Sequence, residues 1–126
     1  MDCCFSAFKQ NFARGQSFSY GLEVVGDYYQ EYRAMMKHWH SVMPGRVKEV
    51  NYESIVNNLE YEVKVLLDHC GLAFEKACVD FHKTKRSVRT ASAQQVRQPI
   101  YTSGVEHWRN YETWLGPLKE ALAKKD

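Results

Sequence analysis

The chain has 126 residues, which is the size of one domain with a single modest core. Apolar residues make up 44% and aromatic residues 13% of the sequence, a composition that excludes a disordered chain. The formal net charge is only +2, which argues against the strongly basic surface of a general nucleic-acid-binding protein.

The first part of the chain predicts two helices. Residues 2–13 (DCCFSAFKQNFA) place phenylalanine at positions 5, 8 and 12, which is helical spacing, and Arg14-Gly15 follows as a stop. A longer helix is predicted from Leu22 to Met43, ended by Pro44-Gly45. Its apolar face repeats every three or four residues and consists of Leu22, Val25, Tyr29, Tyr32, Met36, Trp39 and Met43. We expect this face to pack onto its own domain, and a coiled-coil seam is the alternative.

The middle of the chain predicts one strand and one helix. Residues 46–52 (RVKEVNY) leave the Pro-Gly turn and are expected to form the strand. A helix is expected over residues 59–70, with a capping box between Asn57 and Glu60 and with Gly71 at its end. A lone strand carries unpaired N–H and C=O groups. We therefore expect the chain to be part of a larger α/β unit rather than a free-standing all-α domain.

The last third predicts short helices around a polar segment. Helices are expected within residues 73–82 and 105–115, and another begins at Pro117, since proline is typical of the first helical turn. No internal repeat or low-complexity tract interrupts these elements. The sequence is thus mostly helical, with about one strand.

The cysteine and histidine content predicts free thiols and no metal site. Cysteine occurs at positions 3, 4, 70 and 78, without a C-x-x-C pair or zinc-finger spacing. Because the sequence shows neither a signal peptide nor an apolar run of about 18 residues, we expect a cytoplasmic protein with no membrane contact. His38 and His40 are two residues apart, and on a helix their side chains would point about 200° away from each other. They could not share one metal ion.

A segment without acidic residues extends from residue 81 to residue 105, although a quarter of the whole chain is charged. Its charges are all positive and come from Lys83, Lys85, Arg86, Arg89 and Arg97. The rest of the chain has 12 basic against 15 acidic residues. A run of charge is often only a solvated face. Arginine among hydroxyl and amide side chains instead favours a defined anion site, because such groups bind phosphate by short charge-assisted hydrogen bonds and carboxylates would repel it.

Three stretches resemble the sulfotransferase family. DCCFSAFKQNF fits the end of the family motif Arg-x-Pro-x-Asp-x-x-x-Ser at Asp2 and Ser6, and EVNYESIVNN fits the family's strand-end Tyr-Glu-x-Leu/Ile-Val pattern at Tyr52. RTASAQQVRQPIY followed by SGVEHWRNYE fits the Ser-x-x-Gln-Val-x-x-Pro loop and the aromatic helix after it. The third stretch is the specific one, and the resemblance covers residues 2–122. It is strongest to the bacterial group that is often fused to tetratricopeptide repeats and is related to tyrosylprotein sulfotransferases.

The resemblance implies an α/β fold related to the P-loop kinases and the sulfuryl donor 3′-phosphoadenosine-5′-phosphosulfate (PAPS). The nucleotide-binding residues that it implies are Ser6, Tyr52, Ser92, Gln95, Arg97 and His107. Ser6 takes the role of holding the 3′-phosphate, and Tyr52 contacts the nucleotide. His107 stands where the family has lysine or arginine before a tryptophan, so its phosphate contact depends on a side chain that is ordinarily mostly neutral at pH 7.

The same resemblance implies a partial domain over residues 1–126, equivalent to the C-terminal half. The arginine of the first motif would lie three residues before Met1, and the family's 5′-phosphosulfate loop and catalytic base belong to the N-terminal half. Gly15 and Gly21 are too far apart to form such a loop. We expect a split gene, a late start codon or a truncated reading frame, and a chain that is inactive without its N-terminal half or another subunit.

Three functions remain open at this point. The leading one is transfer of a sulfuryl group from PAPS to a hydroxyl acceptor, which could be tyrosine, carbohydrate or a small molecule. The alternative is a non-catalytic helical interaction module of sulfotransferase ancestry, which would bind a partner helix through Tyr29, Tyr32, Met36 and Trp39. A nucleic-acid-binding module is disfavoured because only one short segment is basic and no base-stacking platform is evident.

Overall fold

A computed structural model describes residues 1–10, 12, 15–85, 87–90 and 92–124 of the protein. The α-helices of these residues are α1 (Asp2–Lys9), α2 (Leu22–Val42), α3 (Tyr52–Asn57), α4 (Leu59–His69) and α5 (Gly116–Ala123). Shorter 3₁₀-helices span Ser17–Tyr20, Lys76–Cys78, Phe81–Lys83, Gln95–Arg97 and His107–Trp114. The chain divides into two compact units, the first formed by Met1–Val47 with Ser103–Asp126 and the second by Lys48–Thr102.

The predicted strand over residues 46–52 is wrong, because no β-strand occurs in the described part of the chain. Arg46 belongs to a turn in which its N–H bonds to the Met43 carbonyl at 3.2 Å and Gly45 has a φ of 76°. Proline followed by a glycine at positive φ is the arrangement of a type II turn. Residues 48–51 then run without regular structure, and Tyr52 already begins α3. A β-strand is stabilised by hydrogen bonds to a neighbouring strand. The β-branched side chains of Val47 and Val50 favour extended backbone but do not provide that neighbour.

The first unit forms around the predicted long helix, which is confirmed as α2 and ends just before the Pro-Gly turn. Its core consists of Cys4 from α1, Val25 from α2 and Leu118 from α5, all at most 3% exposed. Gly26 lets the backbones of α2 and α5 approach closely, because a Cβ atom there would lie 2.5 Å from the Cβ of Ala121.

A glutamine of α2 also caps the end of α5. The Gln30 Nε2 group donates to the carbonyl oxygens of Leu122 at 2.8 Å and Lys124 at 2.9 Å. The Lys124 ammonium group in turn pairs with the Asp27 carboxylate at 2.7 Å. The final carbonyls of a helix have no partner within the helix, so these bonds satisfy groups that α5 itself cannot.

The second half of α2 does not pack as expected. Burial in this helix is confined to Val25 and Gly26. The exposed apolar side chains further along it are Tyr32 (52%), Met35 (59%), Trp39 (37%) and Val42 (52%). The chain itself therefore buries this apolar face only along the first two to three turns of α2, and burial of the rest by the N-terminal half of the domain stays a prediction.

The second unit begins with α3, a helix that the sequence did not predict. Asn57 is the last residue of α3 and Asn58 precedes α4, with no side-chain capping bond, so the capping box between Asn57 and Glu60 is wrong. The end of α4 is confirmed, since Gly71 has a φ of 68° and the Leu72 N–H bonds back to the Leu67 carbonyl at 2.9 Å.

Three other helix predictions differ in length or type. The first helix ends at Lys9 rather than at Ala13, which lies outside the described residues. In place of the helix expected within residues 73–82, two single-turn 3₁₀-helices occur at Lys76–Cys78 and Phe81–Lys83, and the helix His107–Trp114 is also of the 3₁₀ type. The last helix is confirmed, with Pro117 in its first turn.

Candidate functional site

A cavity of about 150 Å³ opens within the second unit. Its lining residues are Tyr52, Phe81, Gln95, Val96, Gln98, Pro99, Ile100 and Tyr101. Tyr52 stands at the first residue of α3, and Gln95 stands at the first residue of the 3₁₀-helix that ends at Arg97. The structure thus brings together two predicted site residues that come from separate sequence motifs.

The chemistry of the cavity suits a flat, uncharged group. Three aromatic side chains and two amides contribute to the lining, and none of the described lining residues is a carboxylate or a cation. Aromatic rings stack on planar groups, and an amide both donates and accepts hydrogen bonds. An apolar cavity of this volume is enough for one aromatic ring and smaller than the roughly 300–1,000 Å³ of a complete small-molecule pocket.

Phe81, Gln98 and Tyr101 are lining residues that the sequence analysis missed. Tyr101 lies two residues after the proline of the quoted loop motif, so the loop itself was the signal for it. Phe81 carries no such signal. It reaches the cavity because the 3₁₀-helix Phe81–Lys83 packs against the one at Gln95–Arg97.

The other two predicted residues of the loop do not line the cavity. The Ser92 carbonyl accepts the Val96 N–H at 3.1 Å, which closes the turn that leads into the 3₁₀-helix. The Arg97 guanidinium donates to the Thr84 carbonyl, so it joins two points, 13 residues apart, of the segment without acidic residues. Arg97 therefore holds the loop in shape and lies on its exposed side.

The charges of that segment are partly paired. The Lys83 ammonium group bonds to the Asp80 carboxylate at 2.9 Å, and this hydrogen bond lowers the pKa of Asp80. Lys85 and Arg89 are exposed, and Arg86 lies outside the described residues.

Ser6 and His107 belong to the first unit. Ser6 is an exposed residue of α1. His107 is the first residue of the 3₁₀-helix His107–Trp114, and its ring centroid lies 6.2 Å from that of Phe5 and 5.7 Å from that of Tyr111. Phe5 is 5% exposed, so the imidazole rests on a fixed aromatic neighbour that is adjacent to Ser6 in α1.

The Asp2 carboxylate provides a second link between α1 and the helix that carries His107. Its two oxygens accept the backbone N–H groups of Glu106 at 2.8 Å and Trp108 at 3.2 Å. The sequence motif included Asp2 but gave it no role. The link spans almost the whole chain, so local spacing could not reveal it.

The four thiols are free, as expected: Cys4 is buried, and Cys3, Cys70 and Cys78 are exposed. The described residues contain no group of three or more histidine, cysteine or acidic side chains that could hold a metal ion. Within the same residues, no helix combines the length and apolarity needed to cross a membrane.

Comparison with known proteins places the chain in a family. The profile of the Sulfotransferase family matches residues 1–76, more than half of the 126 residues, and this range includes both Ser6 and Tyr52. The chain belongs to the sulfotransferase family.

A protein of Aquifex aeolicus (strain VF5), described only as uncharacterized, is 39% identical to the chain over 125 residues. That alignment covers 97% of this chain and 16% of the Aquifex protein. The chain thus spans about a sixth of the length of this relative. No solved structure matches.

Proposed function

We propose that the chain is the donor-nucleotide half of a PAPS-dependent sulfotransferase domain, with an α/β architecture related to the P-loop kinases that other segments complete. The whole protein would transfer a sulfuryl group from PAPS to a hydroxyl acceptor. The observation that carries the proposal is the convergence of Tyr52 and Gln95 on one cavity. Membership of the sulfotransferase family supplies the reaction class.

The cavity is proposed to receive one ring of the donor's purine base, with the rest of the base at its open mouth. The aromatic rings of Tyr52, Phe81 and Tyr101 offer stacking faces for a purine, and the Gln95 amide can pair with its polar edge. A purine is neutral, which agrees with a lining that has no carboxylate or cation. The cavity holds a ring system rather than a whole nucleotide, so the phosphates require other residues.

The phosphate contacts are proposed to come from Ser6, Ser92, Arg97 and His107. A 3′-phosphate is a dianion near neutral pH, and arginine and hydroxyl groups bind such an anion by short charge-assisted hydrogen bonds. The transfer step needs an aligned nucleophile, a base and neutralisation of charge on the leaving phosphate. We assign none of these roles to residues of this chain and propose that an N-terminal segment or another subunit supplies them, in a reducing cytoplasm where the four thiols stay free.

Calorimetric titration with adenosine 3′,5′-bisphosphate tests this proposal. Tyr52→Ala is expected to weaken binding by about 1–3 kcal/mol, the range for base–aromatic stacking. Arg97→Ala should weaken it by about 1.5–3 kcal/mol, the range for hydrogen bonds to charged groups. Lys85→Ala is the matched control, because Lys85 is an exposed cation of the same segment, and it should change little beyond a salt-dependent effect.

Two further variants separate the phosphate contacts. Ser6→Ala should weaken binding less than Arg97→Ala does, because a neutral hydroxyl contributes only part of a phosphate site. His107→Lys, which restores the cation that the family has at this position, should strengthen binding, because a lysine ammonium group is a strong point charge opposite a phosphate. Equal losses for Arg97→Ala and Lys85→Ala that vanish in moderate salt would show a diffuse basic surface and contradict the proposed site.

The exposed second half of α2 favours one second candidate, a helical interaction module that binds a partner through this face. Tyr32 and Trp39 are 52% and 37% exposed on it. Analytical ultracentrifugation distinguishes the two functions. Two results together would support the interaction module: the chain does not bind the bisphosphate, and it self-associates unless Tyr32 is replaced by lysine. A chain that binds the bisphosphate and sediments as a monomer would exclude self-association through this face.

A further inference from the structure

The turn before the 3₁₀-helix His107–Trp114 has an unusual backbone. Glu106 has a φ of 55° and a ψ of 20°, which is the left-handed helical region. Among the described residues other than glycine it alone has a positive φ. Left-handed helical backbone brings the Cβ atom too close to the following carbonyl oxygen, so a glutamate adopts it only when surrounding contacts enforce it.

The Asp2 carboxylate supplies such contacts from another part of the chain. One oxygen accepts the Glu106 N–H at 2.8 Å, and the other accepts the Trp108 N–H at 3.2 Å. These N–H groups belong to the start of the helix, where no intrahelical partner exists for them. A carboxylate is a strong acceptor and also complements the positive end of the helix dipole.

His107 lies between the two residues that Asp2 holds. Its backbone is therefore fixed on both sides by one carboxylate, and its ring rests against Phe5, only three residues after Asp2 in α1. Movement of the turn would displace the imidazole relative to Ser6, the other candidate phosphate residue of this unit.

We propose that Asp2 is a positioning residue, which sets the place of the His107 imidazole beside α1 by holding Glu106 in the left-handed conformation. Its importance for ligand affinity rests on the proposed function, in which His107 contacts the phosphate of the donor nucleotide. Asp2 itself does not touch the ligand in this arrangement, since both of its oxygens face backbone N–H groups.

The first test needs no ligand. In the full chain, Asp2→Ala is expected to accelerate amide hydrogen exchange at Glu106 and Trp108 and to shift the His107 ring signals in NMR spectra. Asp2→Asn, which keeps one acceptor oxygen, should have a smaller effect. The matched control is Asp27→Ala, which removes a carboxylate of the same unit that bonds to Lys124 instead. If Asp2→Ala changes these signals no more than the control does, the positioning role is overturned.

The second test measures affinity for adenosine 3′,5′-bisphosphate by calorimetry. Asp2→Ala should weaken binding roughly tenfold, an effect comparable to the loss of one good hydrogen bond. Adding Glu106→Gly should restore part of the affinity, because glycine adopts positive φ without strain. Adding Glu106→Ala should not, although it removes the same side-chain bond to Arg109. Rescue by glycine alone separates control of the turn from a general loss of stability.

The outcomes distinguish this inference from the proposed function. If the unmodified chain binds no bisphosphate, the proposed function fails, and the ligand-free NMR test still decides the role of Asp2. If the chain binds the bisphosphate and Asp2→Ala leaves the affinity unchanged, the link between Asp2 and the nucleotide is wrong while the proposed function stands.

Discussion

Replacement of Gly26 by alanine tests the close approach of α2 and α5. An added Cβ atom would lie 2.5 Å from the Cβ of Ala121 and 3.3 Å from the Cδ1 of Leu118. Ordinary van der Waals contacts of a Cβ atom lie at 3.4–4 Å. Rotation of a side chain cannot relieve the first contact, because both Cβ atoms are fixed to their backbones. The helices α2 and α5 would have to separate by about 1 Å.

The expected net effect is a loss of stability of about 1–2 kcal/mol. Overpacking of a filled core costs about 1–3 kcal/mol, and the upper half of that range applies because Ala121 and Leu118 are 1% and 0% exposed. Alanine is better than glycine within a helix by about 1 kcal/mol, which offsets part of the cost.

Urea denaturation followed by circular dichroism measures this loss. Gly116→Ala is the control, because Gly116 is also helical and has no atom within 4 Å of its added Cβ, so this change should be neutral or mildly stabilising. In an Ala121→Gly background, which removes the clashing atom, Gly26→Ala should no longer destabilise. If Gly26→Ala alone stabilises the chain as much as Gly116→Ala does, the close approach of α2 and α5 is incorrect.

Three further predictions concern the core of the first unit. Leu118→Ala should lower the free energy of unfolding by about 2–5 kcal/mol, whereas Leu72→Ala, at a position 60% exposed, should stay within about 0.5 kcal/mol; equal losses would contradict the assigned core. An alkylating reagent should modify Cys3 well before Cys4, as mass spectrometry can show, because Cys4 is 3% exposed and burial raises the pKa of its thiol above the ordinary 9.0. The folded chain holds the Cys4 proton more tightly than the unfolded chain does. The contribution of this thiol to the free energy of unfolding is therefore fully present below pH 9.0 and is lost as the pH rises through the pKa of the folded state. Denaturant midpoints measured against pH should show this fall in the natural chain and a weaker one in Cys4→Ala.

The fold could be predicted where the sequence pattern was long and its ends were marked. Helix α2 has a three- and four-residue apolar repeat over six turns and a Pro-Gly stop, and both appeared in the structure. The segment around Val47 and Val50 was too short for the spacing of its apolar residues to distinguish a strand from irregular structure. A strand also depends on a neighbouring strand, which no local sequence pattern reveals. The capping box failed for a similar reason, because α3 extends through Asn57 and uses that residue as helix rather than as a cap.

Residues of the candidate site could be predicted only where they belong to a sequence motif of the family. Tyr52 and Gln95 came from the family resemblance, and the structure placed both at one cavity. Phe81 reaches the same cavity through packing of two single-turn helices, which has no signature in sequence spacing. The bonds from Asp2 to Glu106 and Trp108 join residues that are 104 and 106 positions apart, and such a tertiary cap becomes visible only in three dimensions.

The uneven burial of α2 has a consequence for its helix–coil equilibrium. The helix has 21 residues and is therefore about 31 Å long, yet its buried residues, Val25 and Gly26, both lie in its first two turns. A helix of about 12 residues, the length of the part after Gln30, is only marginally stable in water by itself. That part stays helical chiefly because it continues a helix already nucleated by the packed part. On warming, α2 should melt back from Val42 towards Gln30 while the contacts of α2 with α1 and α5 remain intact.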